Sequence, residues 1–255
     1  MGNVDTAGKR QTDLRKRYEN DGFAGPFGLG SPGQMSFVGL SLTRSVFCTP
    51  GPAPDDPYVN RHLDSPMVAQ LCTHPAIRAQ AEALLGPDLV VWRSLFFVKG
   101  PHGKDVMWHQ DGHFWNLEPP VTITAWLAIE RSHSADHCLE VIPGSHKSLL
   151  KHVAAPPGSQ FPEAAEPDRE AVAQAIELPV DAGDFVLFDQ NLVHRSRPGG
   201  TRRRLALSIR IAPRTVKIDP RLLPAGARVL PLLADAREAP PYLRDDVPRA
   251  VRQPG

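Results

Sequence analysis

The sequence predicts a mainly β fold, a barrel or jelly roll with helices packed on its outside. The chain of 255 residues contains 27 prolines and 20 glycines, which is too many turn and loop residues for a helical bundle. Helical periodicity is confined to the first third of the chain, and short apolar segments separated by turn residues follow from Leu89 onward. Helical segments followed by many short strands are typical of this architecture.

The helical part is predicted over about residues 11–86. Turn residues divide it into a first helix, two loops and a helical pair, expected at about 11–20, 25–33, 49–57 and 65–85. In the last of these segments, apolar residues recur at spacings of three and four, which is typical of an amphipathic helix. Pro75 is placed to start a second helix there, and Gly86 is placed to end it.

Six segments rich in Val, Ile, Leu and aromatic residues are predicted as strands of a core that spans about residues 89–212. They are expected at 89–98, 121–129, 139–142, 176–180, 184–188 and 204–211. The segment 154–169 is rich in Pro, Ala and Glu, and we expect a mobile insertion or a lid there. The proline-rich tail, 213–255, is expected to wrap the barrel or to be partly disordered. We therefore expect a single domain over residues 1–255.

Composition and charge exclude several classes of protein. Lys and Arg number 29 against 28 Asp and Glu, which gives a net charge of +1 and argues against binding to nucleic acid or to an anionic membrane. No apolar run approaches the 18 or so residues of a membrane span, and the N-terminus lacks the apolar segment of a secretory signal. The three cysteines form no CxxC pair, so neither a disulfide framework nor a zinc knuckle is indicated. We expect a cytoplasmic protein.

The residues His109-Gln110-Asp111 carry the clearest chemical signal. In an extended chain, residues i and i+2 point to the same face, so His109 and Asp111 can bind one ion. A third ligand must come from elsewhere, and His194 follows the predicted apolar strand 184–188. Two histidines and one carboxylate form the facial triad of non-haem Fe(II) oxygenases, which leaves positions open for dioxygen and a bidentate co-substrate. The alternative for His109 and Asp111 is a hydrogen-bonded surface pair.

A basic strand follows His194. Alternation places Arg204, Ala206, Ser208 and Arg210 on one face of it and three apolar residues on the other. The planar guanidinium matches a carboxylate in a bidentate manner, so Arg204 is predicted to bind a dicarboxylate co-substrate. For Arg202 and Arg203 we expect only a charged strand edge that discourages aggregation.

Four motifs in order resemble the phytanoyl-CoA dioxygenase family of Fe(II)- and 2-oxoglutarate-dependent oxygenases. They are His109-Gln110-Asp111, Ala125-Trp126, the segment 138–146 (CLEVIPGSH) and His194-Arg195-Ser196. The resemblance runs from about residue 18 to about residue 212, which is most of the chain. It implies a double-stranded β-helix, a cupin-like jelly roll with iron near one open end.

The resemblance also implies roles for six residues and a set of cofactors. The iron ligands would be His109, Asp111 and His194, and the co-substrate residues would be Arg204, Ser196 and Trp126. The spacing from His194 to Arg204 is one residue shorter than in some members, which keeps Arg203 open as an alternative, although the alternation of the strand favours Arg204. The cofactors would be Fe(II), 2-oxoglutarate and dioxygen.

Four further residues are candidates for contact with the substrate: His113, Phe114, Trp115 and Arg210. For the first three, structural packing is an equally good interpretation. Arg210 stands where the family often has an aromatic residue, and it would suit a polar substrate. Lys99 and Arg93 either face the pocket mouth or merely flank their strand. The carboxylate of Asp111, where related halogenases have a small residue, implies oxygenation, desaturation or ring closure rather than chlorination.

The predicted function is oxidation of an unactivated C–H bond in a small molecule. Many bacterial relatives modify natural products, and the Ala, Arg and Pro content is compatible with a GC-rich bacterial genome. We therefore expect a polar or glycosylated substrate in antibiotic or secondary-metabolite biosynthesis, and hydroxylation or oxidative cyclisation such as orthoester formation on a sugar. The alternatives are a jelly-roll metalloprotein of another class, an isomerase or hydrolase, and a non-catalytic binding protein. Of these, only the oxygenase needs a dicarboxylate clamp.

Overall fold

Two antiparallel β-sheets form the centre of the molecule. The computed structural model describes residues 5–53, 55–100, 103–134, 138–197, 202–223 and 229–232. The larger sheet contains, in spatial order, β1 (Phe23–Gly28), β10 (Asp184–Asp189), β5 (Ile123–Ala128), β12 (Arg204–Pro213), β2 (Leu89–Lys99) and β14 (Leu230–Pro231). The smaller sheet contains β3 (Val106–His109), β11 (His194–Ser196), β6 (Leu139–Val141) and β9 (Ile176–Leu178). This arrangement is the predicted jelly roll.

Two short strand pairs and five α-helices accompany the sheets, together with short 3₁₀ and π-helical turns. The pairs are β4 (Leu117–Glu118) with β13 (Lys217–Ile218) and β7 (His152–Ala154) with β8 (Glu163–Ala165). The helices are α1 (Asp5–Asp21), α2 (Pro32–Ser41), α3 (Pro66–Cys72), α4 (Pro75–Leu85) and α5 (Arg169–Ala173). None of the helices within the described ranges combines the length and hydropathy that crossing a bilayer requires.

Local sequence explains where several helices begin and end. Ser31 accepts a hydrogen bond from the backbone of Gln34, whose side chain in turn accepts from the Ser31 backbone, so α2 starts with a complete capping box. Proline occupies the first turn of α3 and of α4, where its missing N–H costs nothing. After α1, Gly22 takes a positive φ of 81°, which a residue with a side chain rarely adopts. Sequence and structure therefore agree on the helix boundaries between residues 65 and 86.

The larger sheet is buried on both faces. Every residue of β5 is buried: Leu127 belongs to the apolar cluster that α2, α3 and α4 form on the outer face, and Trp126 belongs to the cluster between the two sheets. The residues of β12 also alternate between the two faces of the sheet, and Leu205, Leu207 and Ile209 belong to the outer cluster. The alternation predicted for the basic strand is confirmed, because its polar residues face the interior of the jelly roll.

The structure contains elements that were not predicted, among them α2, β3 and β11, and it also differs in two segments that were expected to be irregular. The expected loop 25–33 overlaps β1, in which Phe23 pairs with Phe188 and Phe27 with Phe185. Proline hides this strand from a local pattern, yet an edge strand tolerates it. The expected mobile insertion 154–169 contributes to the β7–β8 hairpin, which the Pro- and Ala-rich composition did not suggest. Most of the predicted tail, beyond Leu232, lies outside the described residues.

A buried histidine predicts a loss of stability in acid. His62 lies under β2 with Nδ1 2.7 Å from the Ser94 hydroxyl, and burial lowers the pKa of His62 from 6.5 to about 4. Between these two pH values the unfolded chain binds a proton at this residue that the folded chain does not. The free energy of unfolding is therefore unaffected above pH 6.5 and falls as the pH is lowered toward 4. The loss reaches about 3 kcal/mol. Chemical unfolding between pH 7 and pH 4 should show a shallower pH dependence in His62→Gln, whereas the more exposed His133→Gln should keep the wild-type dependence.

Candidate metal centre and co-substrate pocket

Strand pairing in the smaller sheet brings two histidines together. His109 at the end of β3 lies opposite His194 at the start of β11, and their ring centroids are 4.1 Å apart. Each ring uses Nδ1 in the same way, with Nδ1 of His109 donating to the Met107 carbonyl and Nδ1 of His194 to the Leu192 carbonyl, both at 2.9 Å. Because a carbonyl only accepts, both Nε2 atoms are left as bases with a free lone pair. Both rings are thus held in the tautomer that a metal ligand requires.

Asp111 completes a three-residue cluster. It opens a 3₁₀ turn directly after β3, and one of its carboxylate oxygens lies 3.7 Å from Nε2 of His109. The ligand atoms of His109, Asp111 and His194 all lie within 4.8 Å of one another, and all three residues are buried. Two imidazoles and one carboxylate at this separation fit a single divalent transition-metal ion.

The electrostatics of the cluster keep its ligands in the forms that bind metal. Burial alone would raise the pKa of Asp111, but the Arg210 guanidinium holds it well below its usual range. Burial, together with the neighbouring His109, lowers the pKa of His194 to about 3. At neutral pH the carboxylate is therefore ionised and the His194 imidazole is neutral.

Arg210 holds the carboxylate of Asp111. One guanidinium nitrogen lies 3.0 Å from Oδ2 of Asp111, and the other donates to the hydroxyls of Thr124, at 2.6 Å, and Ser208. The guanidinium also lies over the ring of Trp115, 4.8 Å from its centroid. This placement favours a role in orienting Asp111 over the predicted contact with substrate.

Removing the Arg210 guanidinium should weaken metal binding without unfolding the protein. Replacing Arg210 with methionine keeps most of the apolar stem but leaves Asp111 without its main partner. Loss of such a group next to a ligand typically lowers metal affinity about 10- to 100-fold, and we expect this range in a calorimetric titration with Ni(II). Arg203→Met is the matched control, because Arg203 lies on the surface and pairs with Glu130; an equal effect in both variants would contradict the assignment.

A second cluster of polar side chains lies at the other end of β12, also on its inner face. Arg204 is buried, lines the same cavity as the metal cluster, and donates to the hydroxyl of Ser196 at 3.2 Å. The same hydroxyl is 2.9 Å from Nζ of Lys99, the cross-strand partner of Arg204. Burial, and then the charge of Arg204, lower the pKa of Lys99 to about 7. A carboxylate placed here would meet two cations and a hydroxyl donor.

The structure distinguishes the two candidate arginines. Arg204 points inward, 5.8 Å from the centroid of Trp126, which also lines the cavity. Arg203 points outward to Glu130, as expected for a charged surface residue. The sequence left open whether Lys99 faces the pocket or merely flanks its strand. In the structure Lys99 lies inside the barrel beside Ser196. The inner face of β2 thus also borders the pocket, which Phe97 of the same strand lines.

The predicted substrate residues 113–115 lie beside the metal cluster. His113 lies 2.7 Å from Glu163 and stacks on His152 at 3.8 Å, so it is held by the β7–β8 hairpin. Phe114 lies 5.5 Å from Phe161 of the hairpin loop, and Phe161 in turn lies 4.9 Å from the ring of His109. The hairpin therefore covers one side of a metal ligand.

Several pocket residues were not predicted. Phe97 lines the cavity, and the alternation of β2 could have identified it, since it lies two residues from Lys99. Thr124, which contacts Asp111 at 3.3 Å, lies two residues before Trp126 on β5 and could have been found in the same way. No signal in the sequence places Phe161 beside His109 or Glu163 beside His113, because both come from a segment without periodicity.

Comparison with known proteins identifies the family. The family model described as phytanoyl-CoA dioxygenase (PhyH) matches residues 53–205. Ectoine dioxygenase from Sphingopyxis alaskensis is 30% identical over 154 residues, 53% of this chain and 50% of that protein. Human peroxisomal phytanoyl-CoA dioxygenase is 29% identical over 171 residues, 62% of this chain and 51% of that protein. The chain spans about half the length of the curated relatives it matches.

Solved structures share the fold. The non-heme monooxygenase ThoJ in its apo form has a TM-score of 0.70 at 24% identity, covering 81% of this chain and 79% of that one. The epimerase SnoN from nogalamycin biosynthesis has a TM-score of 0.69 at 21% identity, with 87% and 92% covered. CytC3, solved with Fe(II) and alpha-ketoglutarate (2-oxoglutarate), has a TM-score of 0.61 at 26% identity, with 82% and 79% covered.

These findings confirm the resemblance read from the motifs and the jelly-roll fold expected with it. Fe(II) and 2-oxoglutarate, the predicted cofactors, are both bound in the CytC3 structure, and the buried His-Asp-His cluster of this chain is a fitting site for the metal. Because the family model matches more than half of the sequence, the chain belongs to the phytanoyl-CoA dioxygenase family.

Proposed function

We propose that this protein is an Fe(II)- and 2-oxoglutarate-dependent oxygenase that oxidises an unactivated C–H bond of a small molecule. The observation that carries the proposal is that one buried cavity is lined by His109, Asp111 and His194 and also by Arg204 and Ser196. The first group suits a divalent metal and the second a carboxylate. A metal-dependent hydrolase or isomerase would need the first group alone.

The three-residue cluster would hold the iron. Both Nε2 atoms are available because the Nδ1 atoms donate to backbone carbonyls, and Arg210 orients the carboxylate. With 2-oxoglutarate and dioxygen, the iron supplies the oxidising chemistry that breaks the C–H bond. The protein keeps Asp111 ionised and His194 neutral. Burial of the cluster shields the site from water.

The Arg204 end of the cavity would bind the distal carboxylate of 2-oxoglutarate. Arg204 and Lys99 both contact the hydroxyl of Ser196, so the carboxylate would be met by two positive charges. Trp126 provides an apolar wall beside them. A bound carboxylate would also stabilise the protonated form of Lys99, whose pKa of about 7 reflects burial next to another cation.

The reaction that we favour is hydroxylation or oxidative cyclisation, such as orthoester formation on a sugar, of a polar or glycosylated natural product. SnoN, described as an alpha-ketoglutarate-dependent epimerase from nogalamycin biosynthesis, shares the fold, so epimerisation is a further possible outcome. All these outcomes begin with removal of a hydrogen atom from carbon. The position of the substrate then decides what happens to the resulting carbon centre.

Turnover of the co-substrate without any added substrate tests the proposal. Purified protein with Fe(II), ascorbate, 2-oxoglutarate and oxygen should convert 2-oxoglutarate slowly to succinate and CO₂. Omission of iron or oxygen, or replacement of iron by Zn(II), should stop succinate formation. A protein that binds the metal yet forms no succinate with any candidate natural product would support a non-catalytic or hydrolytic role instead.

A further inference from the structure

Cationic side chains occupy both ends of one inner face of the jelly roll. In the antiparallel pair of β2 and β12, Lys99 lies opposite Arg204, and Arg93 lies opposite Arg210. The two pairs are six residues apart along β12, which corresponds to about 20 Å in a β-strand. A five-carbon dicarboxylate is much too short to reach both. The end of the strand pair that carries Arg93 and Arg210 therefore lies beyond the reach of a co-substrate bound at Arg204.

Within that second pair, Arg210 is already neutralised and Arg93 is not. Arg210 forms an ion pair with Asp111. Arg93 is half-buried and donates one hydrogen bond, at 3.2 Å, to the backbone carbonyl of Leu222. Among the described residues, no carboxylate lies within 4.0 Å of the Arg93 guanidinium, although Asp111 and Asp56 act on it from farther away. Burial lowers the pKa of Arg93 despite them, as expected for a cation that lacks a close counter-ion.

The distribution of charge in the site with metal and co-substrate bound also favours an anionic ligand at Arg93. Arg210 is paired with Asp111, and the co-substrate carboxylate would occupy the Arg204 end, so neither supplies a close counter-ion to Arg93. Asp111 and Asp56 act on Arg93 only from beyond ion-pair distance. A partly buried positive charge is stabilised by an anion that hydrogen-bonds to it.

We propose that Arg93 binds an anionic oxygen group of the substrate, a carboxylate or a phosphate or sulfate ester, and so orients the substrate over the metal centre. The inference rests on the proposed function and narrows it, because it predicts an acidic natural product. Arg93 is a substrate-binding residue here, distinct from the co-substrate clamp at Arg204. The half-buried ring of Trp115, which packs against the buried Trp92 with ring centroids 5.1 Å apart and lies under the Arg210 guanidinium, offers an apolar surface at the same end of the strand pair.

Small aromatic probes test this site directly. The protein is loaded with Ni(II) and saturating 2-oxoglutarate, so that the co-substrate carboxylate site is filled. Benzoate and phenyl phosphate are then titrated against neutral benzamide and benzyl alcohol by ligand-observed NMR. We expect at least one of the two anions to bind about tenfold or more tightly than its neutral counterpart, and the better anion identifies the preferred group. Arg93→Gln should lose that preference, and Arg93→Lys should recover part of it.

The controls separate this inference from the proposed function. Arg202→Gln removes the same charge from an exposed position and should bind the anions as the wild type does, while 2-oxoglutarate affinity should be unchanged in Arg93→Gln. Equal binding of anions and neutral probes to the wild type, or equal losses in the Arg93 and Arg202 variants, would overturn the role of Arg93. Failure of the wild type to bind Ni(II) and 2-oxoglutarate would contradict the proposed function instead. In that case, titration of the metal-free protein with the same probes would still test whether Arg93 binds anions.

Discussion

Replacing Asp111 with alanine is expected to abolish co-substrate turnover and to weaken metal binding at least about 100-fold. Two effects combine. The metal loses its anionic ligand, and Arg210 becomes a buried cation without the carboxylate that it contacts at 3.0 Å. Breaking a buried ion pair by removing one partner costs about 3–5 kcal/mol, so the variant should also unfold at lower denaturant concentration. Ni(II) titration, succinate formation and urea unfolding measure the three consequences.

A matched variant isolates the role of the site. The carboxylate of Asp181 lies 2.8 Å from Nε2 of His133 near the protein surface, and exposed pairs of this kind contribute about 0–1 kcal/mol. Asp181→Ala should therefore retain metal binding, turnover and nearly all stability. If Asp111→Ala kept wild-type metal affinity, the carboxylate would not be a ligand, and the three-residue assignment would be wrong.

Replacing Arg204 with alanine is expected to raise the KM for 2-oxoglutarate about 30- to 5000-fold. Loss of one partner from a buried, hydrogen-bonded charge pair typically costs about 2–5 kcal/mol, and Arg204 is almost fully buried. Much of the effect should appear in KM, because the distal carboxylate lies away from the bond that breaks. Rates of succinate formation over a range of 2-oxoglutarate concentrations measure it.

Arg202 provides the comparison for that prediction. It is exposed and lies two residues earlier in the chain, so Arg202→Ala removes the same charge without touching the cavity. Its KM should change less than about twofold, within the range of screened surface electrostatics. Similar increases in both variants would show that Arg204 is not the carboxylate clamp.

The alternation along the strands and the spacing of the candidate ligands were enough to predict which side chains meet at the candidate site. The spacing of His109 and Asp111 and the position of His194 after a strand predicted a cluster that the structure brings together. The alternation of the basic strand predicted that Arg204 and Arg210 share a face. The helical pair and most of the core strands were also predicted, because each carries its own periodicity. The family and the jelly-roll fold are confirmed by the comparisons.

What the sequence did not reveal depends on long-range pairing. β1 is stabilised by its register with β10, some 160 residues later, and contains a proline that weakens any local strand signal. Lys99 could not be assigned because its role depends on a hydroxyl, that of Ser196, from the other sheet. Arg210 fits a polar substrate contact by pattern alone, and only the folded chain shows its contact with Asp111. Contacts across the barrel decide these roles, and no local pattern encodes them.

The most direct test of the account is the absorption spectrum of the protein with Fe(II) and 2-oxoglutarate in the absence of oxygen. Co-substrate chelated to ferrous iron gives a visible charge-transfer band, so the wild type should show it on addition of both components, and His194→Ala should not. Arg204→Ala should show the same band, but only at much higher 2-oxoglutarate concentration. Bound iron without any band at saturating 2-oxoglutarate would contradict the assignment of this cavity to an iron and 2-oxoglutarate centre.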